Sequence, residues 1–415
     1  MELYNTRTQR IEPFTSSGEV VTVYVCGITP YDTTHLGHAF TYTTADILIR
    51  YLEYLGHQVN YVQNVTDIDD DILRKAKEMG ENWQELGNRW TRHFIEDMQT
   101  LNVRPPDHFP RATDVISQII EMVQALLAAG VAYESGGNLY FHAADWPEFG
   151  KLSQIPHEEM LPTANEHGNN PDDPHKRDPL DFVLWQAQAE GEPAWESPWG
   201  NGRPGWHIEC STMAAHFLGE TIDIHGGGYD LLFPHHECET AQVEAVTGQQ
   251  PFGRYWLHTA MVEHEGAKIS KSLGNLVMVR DLLEQYSPDA LRIYLARHPY
   301  RQAWAHGQLE LEKAAHWAER LAAAMTAVNS GHKLININPI QSRFQAALDQ
   351  DLDTAMALAS LLNLADEIIF RAENGYRVSE AQAALRQMAG VFGLRLDEAE
   401  PGVLIGWQTI LKRFQ

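Results

Sequence analysis

The sequence predicts an α/β protein in which a parallel-sheet core, interrupted by an insertion, precedes a C-terminal helical bundle. Two β-branched apolar runs, Val20 to Cys26 and Val59 to Val65, flank a helical pattern over about residues 38–55. Such a strand–helix–strand unit seeds a parallel sheet. From about residue 279 onward the apolar spacing is that of helices. The fold class follows from these two contrasting parts of the chain.

The second half of the core begins with another apolar strand, Thr221 to His225, which runs into three glycines. A helix over about 234–247 follows, with a proline in its first turn, where a missing N–H is tolerated. Residues 256–262 form a further strand. We therefore divide the chain into a first core half, an insertion, a second core half, and a helical stem with a bundle. Their bounds are 1–100, 101–200, 201–278 and 279–415.

The insertion and the C-terminal region have patterns of their own. Within the insertion we expect a helix at 111–130 and an irregular polar run from Pro156 to Pro179. A long loop of this kind usually serves a function. After the core we expect helices at 279–297, 308–328, 340–373 and 379–393.

Composition limits what the chain can do. At 415 residues, 44% hydrophobic and 21% charged, it is typical of globular proteins with more than one domain. It has no leader-like start, no apolar run long enough to cross a membrane and only three cysteines, so we expect a reduced, cytoplasmic protein. The net charge of −25 disfavours a broad nucleic-acid surface, and DNA is not an expected partner. A local basic stripe remains compatible with a nucleic-acid partner.

The turn His35-Leu36-Gly37-His38 lies between the first strand and the first helix. Backbone N–H groups at a helix N-terminus attract phosphate, and a glycine lets a ligand approach the backbone. Two imidazoles three residues apart can donate to one anion. Helix capping alone would explain the same residues, but the first crossover of such a sheet is where nucleotides bind.

A second loop, Lys268 to Asn275, carries two lysines and two hydroxyls beside a glycine. It suits a triphosphate whose pyrophosphate leaves with negative charge, although a solvated basic loop would look alike. Together with His35 and His38, in this order, the loop resembles the paired signature of class I aminoacyl-tRNA synthetases, whose two loops close over ATP. We therefore expect a Rossmann-type nucleotide-binding core.

Residues of metal-ligand type are dispersed along the chain. Cys26 ends the first strand, Cys210 lies far beyond it, and His235 and Glu239 are one helical turn apart. Thiolates combined with imidazole are typical of zinc. Buried cysteines can also be plain small hydrophobes. Cys238, three residues after His235, could face the same ion in place of Glu239.

Three long strings resemble the cysteinyl-tRNA synthetase superfamily: Gly202 to Cys210, Asp223 to Leu231 and Phe233 to Glu237. The resemblance runs from about residue 3 to 395. It implies activation of L-cysteine by ATP to cysteinyl-adenylate, with Mg²⁺ accompanying the ATP and one Zn²⁺ per chain. It also favours Glu239 over Cys238 as a zinc ligand.

The resemblance implies roles for individual residues. Those expected in catalysis are His35, His38, Lys268 and Lys271. Those expected to bind the nucleotide are Thr29, Gly37, His38, Gly227, Asp230 and Lys271. Those expected to bind the substrate cysteine are Cys26, Thr29, Thr66, Trp206 and His225. Those expected to hold zinc are Cys26, Cys210, His235 and Glu239.

Zinc would explain how such a site rejects serine. Serine differs from cysteine by one atom, and pocket shape discriminates such near-isosteres poorly. A thiol ionises on the soft metal, whereas an alcohol is a harder and more reluctant ligand. The same resemblance implies that the substrate thiolate binds the ion directly.

Two branches of this superfamily differ in the acceptor of the cysteinyl group. One esterifies tRNA, and the other forms an amide with glucosaminyl-inositol in mycothiol biosynthesis. The stretches Cys26 to Ala39 and Asn170 to Asp181 resemble the second branch, and Phe40 and Asp71 stand where the tRNA enzymes usually carry basic residues. The stretch Asp397 to Gln415 is short for an anticodon-reading module. These features favour a small amine as the acceptor.

Other features fit the tRNA enzymes. They include Glu239, His225 and the run Lys271 to Asn275. Transfer of cysteine to tRNA is therefore the alternative. A third reading, a non-catalytic zinc-binding relative, is disfavoured because both ATP loops are intact.

Overall fold

The computed structural model describes residues 1–31, 34–264, 266–269, 274–328, 331–396 and 401–414. The strands are β1 (Glu2–Asn5), β2 (Arg10–Pro13), β3 (Val20–Ile28), β4 (Gln58–Val65), β5 (Ala132–Ser135), β6 (Asn138–Phe141), β7 (Phe182–Ala187), β8 (Gly202–Pro204), β9 (Ile222–Gly228), β10 (Gly253–Thr259), β11 (Val262–His264), β12 (Ala267–Lys268), β13 (Trp304–Ala305), β14 (Lys333–Leu334) and β15 (Tyr376–Arg377). The α-helices are α1 (Leu36–Tyr54), α2 (Asp70–Met79), α3 (Trp83–Thr100), α4 (Ile116–Ala128), α5 (His157–Glu166), α6 (Trp206–Leu218), α7 (Glu237–Thr247), α8 (Val279–Leu283), α9 (Pro288–Ala296), α10 (Gln308–Thr326), α11 (Asn338–Asp349), α12 (Thr354–Glu373), α13 (Ser379–Val391) and α14 (Pro401–Leu411).

The core is a four-stranded, fully parallel sheet in the order β10–β9–β3–β4. Its strands are nearly continuous apolar runs because helices cover both faces. β3 pairs with β4 on one side and with β9, from the second half of the core, on the other. At such a switch point the chain leaves adjacent strands in opposite directions, and a crevice opens at their carboxyl ends. The predicted α/β class, with its parallel sheet, is confirmed.

α1 follows β3 and points its N-terminus at that crevice. The helix is braced from behind by α9, where the buried guanidinium of Arg292 pairs with Asp46 of α1. Arg292 Nη1 also donates to the carbonyl of Leu101 at 2.8 Å. The helical region therefore holds α1, and with it the first turn that carries His38, against the sheet.

The insertion between β4 and β9 forms an antiparallel sheet in the order β5–β6–β7–β8. The buried carboxylate of Asp181 organises it, since it accepts from the Ala143 N–H at 3.0 Å and contacts His142 Nδ1 at 2.9 Å. The run 156–179 was expected to be irregular but contains α5. Pro162 lies within that helix and breaks the pattern from which a helix is predicted.

Two helices that the sequence predicts as continuous are each split. Residues 279–297 form α8 and α9, and residues 340–373 fall in α11 and α12. Ser287 caps α9 by accepting from the Ala290 N–H at 3.2 Å. Asp353 caps α12 by accepting from the Met356 N–H at 3.0 Å. A serine or aspartate in this position begins a new helix where apolar periodicity alone shows no break.

Beyond α13 the chain returns to the core. α14 packs on α3, and the buried indole of Trp407 donates to the carbonyl of Val103 at 2.7 Å. Within the ranges described above, no helix is both long and apolar enough to cross a membrane.

Candidate functional site

A cleft of about 400 Å³ opens at the carboxyl ends of β3 and β9. Ten of the residues predicted to act in the site line it: Cys26, Thr29, His35, Gly37, His38, Thr66, Trp206, Cys210, Asp230 and His235. His225, Gly227 and Glu239 lie behind this lining. Lys271 falls outside the described residues, and of Lys268 only the backbone, at the end of β12, is described. We call the side of α1 and its N-terminus the rim, and the buried group around Cys26 the floor.

The rim is built by a reciprocal helix cap. His35 precedes α1, and its Nδ1 accepts from the His38 N–H at 3.4 Å, while His38 Nδ1 accepts from the His35 N–H at 3.3 Å. The two rings stack with centroids 3.7 Å apart. Because both Nδ1 atoms accept, both neutral imidazoles carry their hydrogen on Nε2, an assignment made from these hydrogen bonds. The rim thus adds two ring N–H donors to a helix N-terminus, an arrangement suited to phosphate.

Gly37 keeps that rim compact. A Cβ at this position would lie 3.0 Å from His35 Cε1 and 3.1 Å from His35 Nδ1. A side chain here would therefore press on the ring that caps the helix. The glycine predicted for nucleotide binding has a local steric reason to be there.

The floor brings together the four predicted zinc ligands. Cys26 comes from β3, Cys210 from α6, His235 from the turn that precedes α7, and Glu239 from the first turn of α7 itself. One donor atom from each lies within 4.8 Å of every other, and all four side chains are buried. Glu239 Oε1 is 3.3 Å from Cys26 Sγ and 3.1 Å from His235 Nε2.

The donors fit a soft divalent cation. Glu239 has no solvent exposure, and its Oε2 makes no hydrogen bond to the described residues, although His225 Nε2 lies 3.4 Å away. A buried carboxylate oxygen left in this state is costly unless something positive satisfies it. Two thiols, an imidazole and a carboxylate are a ligand set that zinc accepts.

The electrostatics of the floor support the same interpretation. Burial raises the pKa of Glu239 and of Cys26 well above their usual ranges. For Cys210, burial acts in the same direction, but a hydrogen bond from Cys26 and the nearby His235 outweigh it and lower its pKa to about 7. Without a cation the floor therefore holds protons that a metal ion would displace.

Cys238 does not join the floor. It is buried one residue before Glu239 and belongs to neither of the two donor clusters found among the described residues. Burial raises the pKa of its thiol well above the usual range. Of the two neighbours weighed from the sequence, the structure places Glu239 with the other donors.

His225, which was predicted to bind the substrate cysteine, lies behind the lining of the cleft. Its ring is buried, stacks on Trp256 at 4.2 Å and lies behind Cys26, with Nε2 3.7 Å from Cys26 Sγ. With His236, Cys26 and Glu239 it forms the second donor cluster. His225 therefore supports the floor from below, because it precedes the carboxyl end of β9, where Gly228 lines the cleft.

Sequence reasoning missed two histidines behind the floor. His207 Nδ1 lies 2.9 Å from His235 Nδ1, which turns His235 Nε2 toward Glu239. Burial lowers the pKa of His207 well below its usual range, so the ring is neutral. His236 Nε2 is 3.3 Å from Cys26 Sγ. The strings that carried the family resemblance contain both residues, but their spacing does not show which histidine faces the cleft.

The remaining predicted residues form the wall of the cleft. Thr29 and Thr66 share a hydroxyl hydrogen bond of 2.8 Å, and Trp206 stacks on His235 at 4.2 Å. Gly227 lies in β9, where a Cβ would come within 2.9 Å of His236 Cε1. Gly227 therefore permits close packing of β9 against His236, while Asp230 lines the cleft itself.

Three aspartates, Asp67, Asp69 and Asp70, hold the loop after β4. Asp67 accepts from the backbone N–H of Thr113 at 3.0 Å and from its hydroxyl at 2.6 Å. Asp69 caps α2, and Asp70 pairs with Arg203. All three join the first core half to the insertion or to α2. Their contacts account for them without a catalytic role.

The chain resembles known proteins over most of its length. Residues 13–316 match the family model for the tRNA synthetases class I (C) catalytic domain, and residues 343–397 match the DALR domain. A cysteine–tRNA ligase of Dehalococcoides mccartyi is 43% identical over 406 residues, covering 97% of this chain and 88% of the relative. A cysteine–tRNA ligase of Thermococcus onnurineus is 43% identical over 385 residues, covering 89% and 80%.

A relative of the other branch also matches. The L-cysteine:1D-myo-inositol 2-amino-2-deoxy-alpha-D-glucopyranoside ligase of Thermobifida fusca is 47% identical over 350 residues, covering 84% of each chain. Among solved structures, Mycobacterium tuberculosis methionyl-tRNA synthetase in complex with methionyl-adenylate superposes with a TM-score of 0.65. It covers 91% of this chain and 90% of that one at 16% identity, which shows a shared fold.

Proposed function

Because this chain belongs to the class I tRNA synthetase family, in its cysteine group, and is an ATP-dependent cysteine ligase, we propose that it attaches L-cysteine to tRNA. The observation that carries its first step, the activation of cysteine, is that residues of the thiol–imidazole–carboxylate floor and of the rim proposed to bind phosphate line one cleft. One cleft thus offers both a partner for the substrate thiol and donors for ATP.

Activation follows from the rim. The cysteine carboxylate attacks the α-phosphorus of ATP, the bond from that phosphorus to the bridging oxygen breaks, and pyrophosphate leaves. His35 and His38 donate their Nε2 hydrogens to phosphate oxygens beside the N-terminus of α1. We propose that Lys268 and Lys271 add positive charge for the phosphates, and that Mg²⁺ accompanies the nucleotide. Thr29, Gly37 and Asp230 complete the nucleotide side of the cleft.

The floor selects the amino acid. We propose that Cys26, Cys210, His235 and Glu239 hold Zn²⁺, which supplies a soft Lewis acid for the substrate thiol. Trp206 and Thr66 shape the space above the floor. His207, His225 and His236 hold the ligands in place from behind. Serine is then rejected because its hydroxyl oxygen is a hard ligand, although its side chain is small enough to fit.

The acceptor is proposed from two lines of support. The cysteine–tRNA ligases match nearly the whole chain. Glu239, which lies in the donor cluster, is also one of the sequence features that fit the tRNA enzymes. Phe40, one of the residues that had favoured a small amine, is buried and packs edge-to-face on Trp304 at 5.4 Å. Its side chain therefore offers nothing to any acceptor.

A small amine is the second candidate. The 47% identity to the amino-sugar ligase of Thermobifida fusca, together with the stretch Cys26 to Ala39, favours it. In both candidates the carbonyl carbon of the adenylate is attacked by the acceptor, the bond to the phosphate oxygen breaks and AMP leaves. The nucleophile is a ribose hydroxyl in the first case and an amine in the second.

One experiment separates these acceptors. Purified full-length protein is first tested for cysteine-dependent ATP–pyrophosphate exchange, with serine as the control amino acid. The adenylate is then offered deacylated tRNA or glucosaminyl-inositol. We expect a cysteinyl ester on tRNA whose formation weakens as salt rises. Amide formation without charging of tRNA would show that the acceptor is the small amine. Pyrophosphate exchange as fast with serine as with cysteine would contradict the proposal that the floor selects a thiol.

A further inference from the structure

Asn64 lies where three elements of the floor meet. It is wholly buried in β4, and its side chain reaches both the backbone that follows Cys26 and the sulfur of Cys210. The Gly27 N–H donates to Asn64 Oδ1 at 2.8 Å, and Asn64 Nδ2 lies 3.3 Å from Cys210 Sγ. One amide therefore links β3, which carries one thiol, to α6, which carries the other.

The reason for an amide here is found in the sheet. The β3–β4 register shifts between Val25 and Ile28, so the ladder is interrupted beside Cys26 and Gly27. Backbone groups at such an irregularity lose their ladder partners. The Asn64 side chain supplies the missing acceptor for Gly27. The strands are so close there that a Cβ on Gly27 would lie 1.5 Å from the Asn64 carbonyl oxygen.

The orientation of the amide follows from this contact. A backbone N–H can only donate, so the atom that faces Gly27 must be the oxygen. The nitrogen is then turned toward Cys210, and its hydrogen points at a sulfur atom. An N–H donor next to a ligand thiolate orients it and withdraws part of its charge.

We propose that Asn64 is a positioning residue for the zinc-binding thiolate of Cys210. This inference rests on the proposed zinc site and adds to it a residue that holds no metal itself. Donation to Cys210 keeps the sulfur aimed at the floor. The same hydrogen bond withdraws charge from the sulfur, so a bound ion would remain a stronger Lewis acid for the thiol of the substrate. Asn64 therefore contributes both to the affinity for the metal and to the affinity for cysteine.

The test replaces the donor by an acceptor of the same shape. In Asn64→Asp, one carboxylate oxygen keeps the bond from Gly27 and the other faces the sulfur. We expect zinc affinity, measured by chelator competition, to fall by about 10- to 100-fold, the range for residues that orient metal ligands. The KM for cysteine should rise while the KM for ATP stays unchanged. In cobalt-substituted protein, the thiolate-to-metal charge-transfer band should shift to lower energy.

A matched variant shows how much of the effect comes merely from placing a carboxylate in a buried position. Asn102 is equally buried and donates through Nδ2 to the Gly393 carbonyl at 2.9 Å, away from the floor. Asn102→Asp should lower thermal stability without changing zinc affinity or the cobalt band. Should Asn64→Asp not fold, Asn64→Ala removes the donor without adding charge and should still weaken zinc binding about tenfold.

The outcomes distinguish this inference from the function on which it rests. Wild-type protein that binds no zinc would overturn both. Wild-type protein that binds zinc while Asn64→Asp or Asn64→Ala keeps the wild-type affinity, cobalt band and cysteine KM would overturn the role of Asn64 alone. A loss of affinity of the same size in Asn102→Asp would also overturn it, because the effect would then be one of stability.

Discussion

The rim and the floor of the cleft are built in opposite ways. The rim is a single turn of chain in which His35 and His38 cap each other, half-buried, at the start of α1. The floor draws Cys26, Cys210 and Glu239 from distant segments and seals them from solvent. The rim therefore satisfies its own hydrogen bonds, whereas the floor leaves a buried carboxylate oxygen without one among the described residues. In the proposed function, phosphate binding therefore rests on local geometry alone, whereas the selection of a thiol depends on an added cation.

The largest expected effect comes from breaking the floor. Cys210→Ser replaces a soft ligand with a hard one, so bound zinc and cysteine-dependent ATP–pyrophosphate exchange should both fall to background. The matched variant is Cys238→Ser, which changes a buried thiol outside the donor cluster. It should keep zinc content and exchange. If metal analysis showed the reverse pattern, the floor would have been assigned to the wrong cysteine.

A change in the rim should lower the rate of exchange without removing zinc. His38→Asn keeps an oxygen near the position of Nδ1, so the helix cap is retained, but it loses the Nε2 donor. We expect exchange to fall by about 10²- to 10³-fold, as for loss of one transition-state donor, with zinc content and melting temperature preserved. His38→Gln extends an amide toward the Nε2 position and should recover part of the rate. Loss of zinc in His38→Asn would show that rim and floor are not separate.

Removal of zinc by a chelator should lower the stability of the protein by an amount that depends on pH. The folded-state pKa of Glu239 is raised by burial, so in the metal-free chain its contribution is most favourable at low pH and is lost as pH rises toward that pKa. A bound ion reverses this, because its ligands are deprotonated. The gain in unfolding free energy from zinc should therefore grow with pH, by up to about 1.4 kcal/mol per pH unit for each proton released.

Thermal melting of zinc-loaded and chelated protein between pH 5.5 and 8 checks this. Glu239→Gln, which cannot titrate, should make the pH dependence of the difference shallower by the share of one proton, while the thiols of Cys26 and Cys210 keep theirs. A zinc-dependent gain that is the same at both pH values would contradict the assignment of a buried, proton-holding floor.

The contrast between the local rim and the floor assembled from distant segments also determines what the sequence could predict. β3, α1 and the rim were predictable because their signals are local: an apolar run, a glycine and two histidines in one turn. The four floor residues came from a family resemblance, since their spacing over more than two hundred positions carries no periodicity. Asn64 was missed because a polar residue inside an apolar strand has no visible partner until the β3–β4 register shift is known.

The errors at helix boundaries have a similar cause. The breaks between α8 and α9 and between α11 and α12 depend on single capping residues, Ser287 and Asp353, within otherwise continuous apolar spacing. The depth of His225 in the site could not be predicted, for another reason. The sequence puts it on a strand beside the site, but only the packing of its ring on Trp256 shows that it lies behind the floor.

The smallest expected effect tests how much displacement the rim tolerates. In Gly37→Ala the new methyl would meet the edge of the His35 ring at 3.0 Å, so the ring must shift by a few tenths of an ångström. A displacement of 1 Å can cost about 10²-fold in rate, so we expect a much smaller rise in the KM for ATP and no change in zinc content. Gly27→Ala is the contrasting variant, because its methyl would lie 1.5 Å from the Asn64 carbonyl oxygen, which cannot move without the sheet. That variant should lose zinc and melt earlier, while Gly37→Ala should do neither; equal losses of zinc in the two would mean that rim and floor behave as one rigid unit.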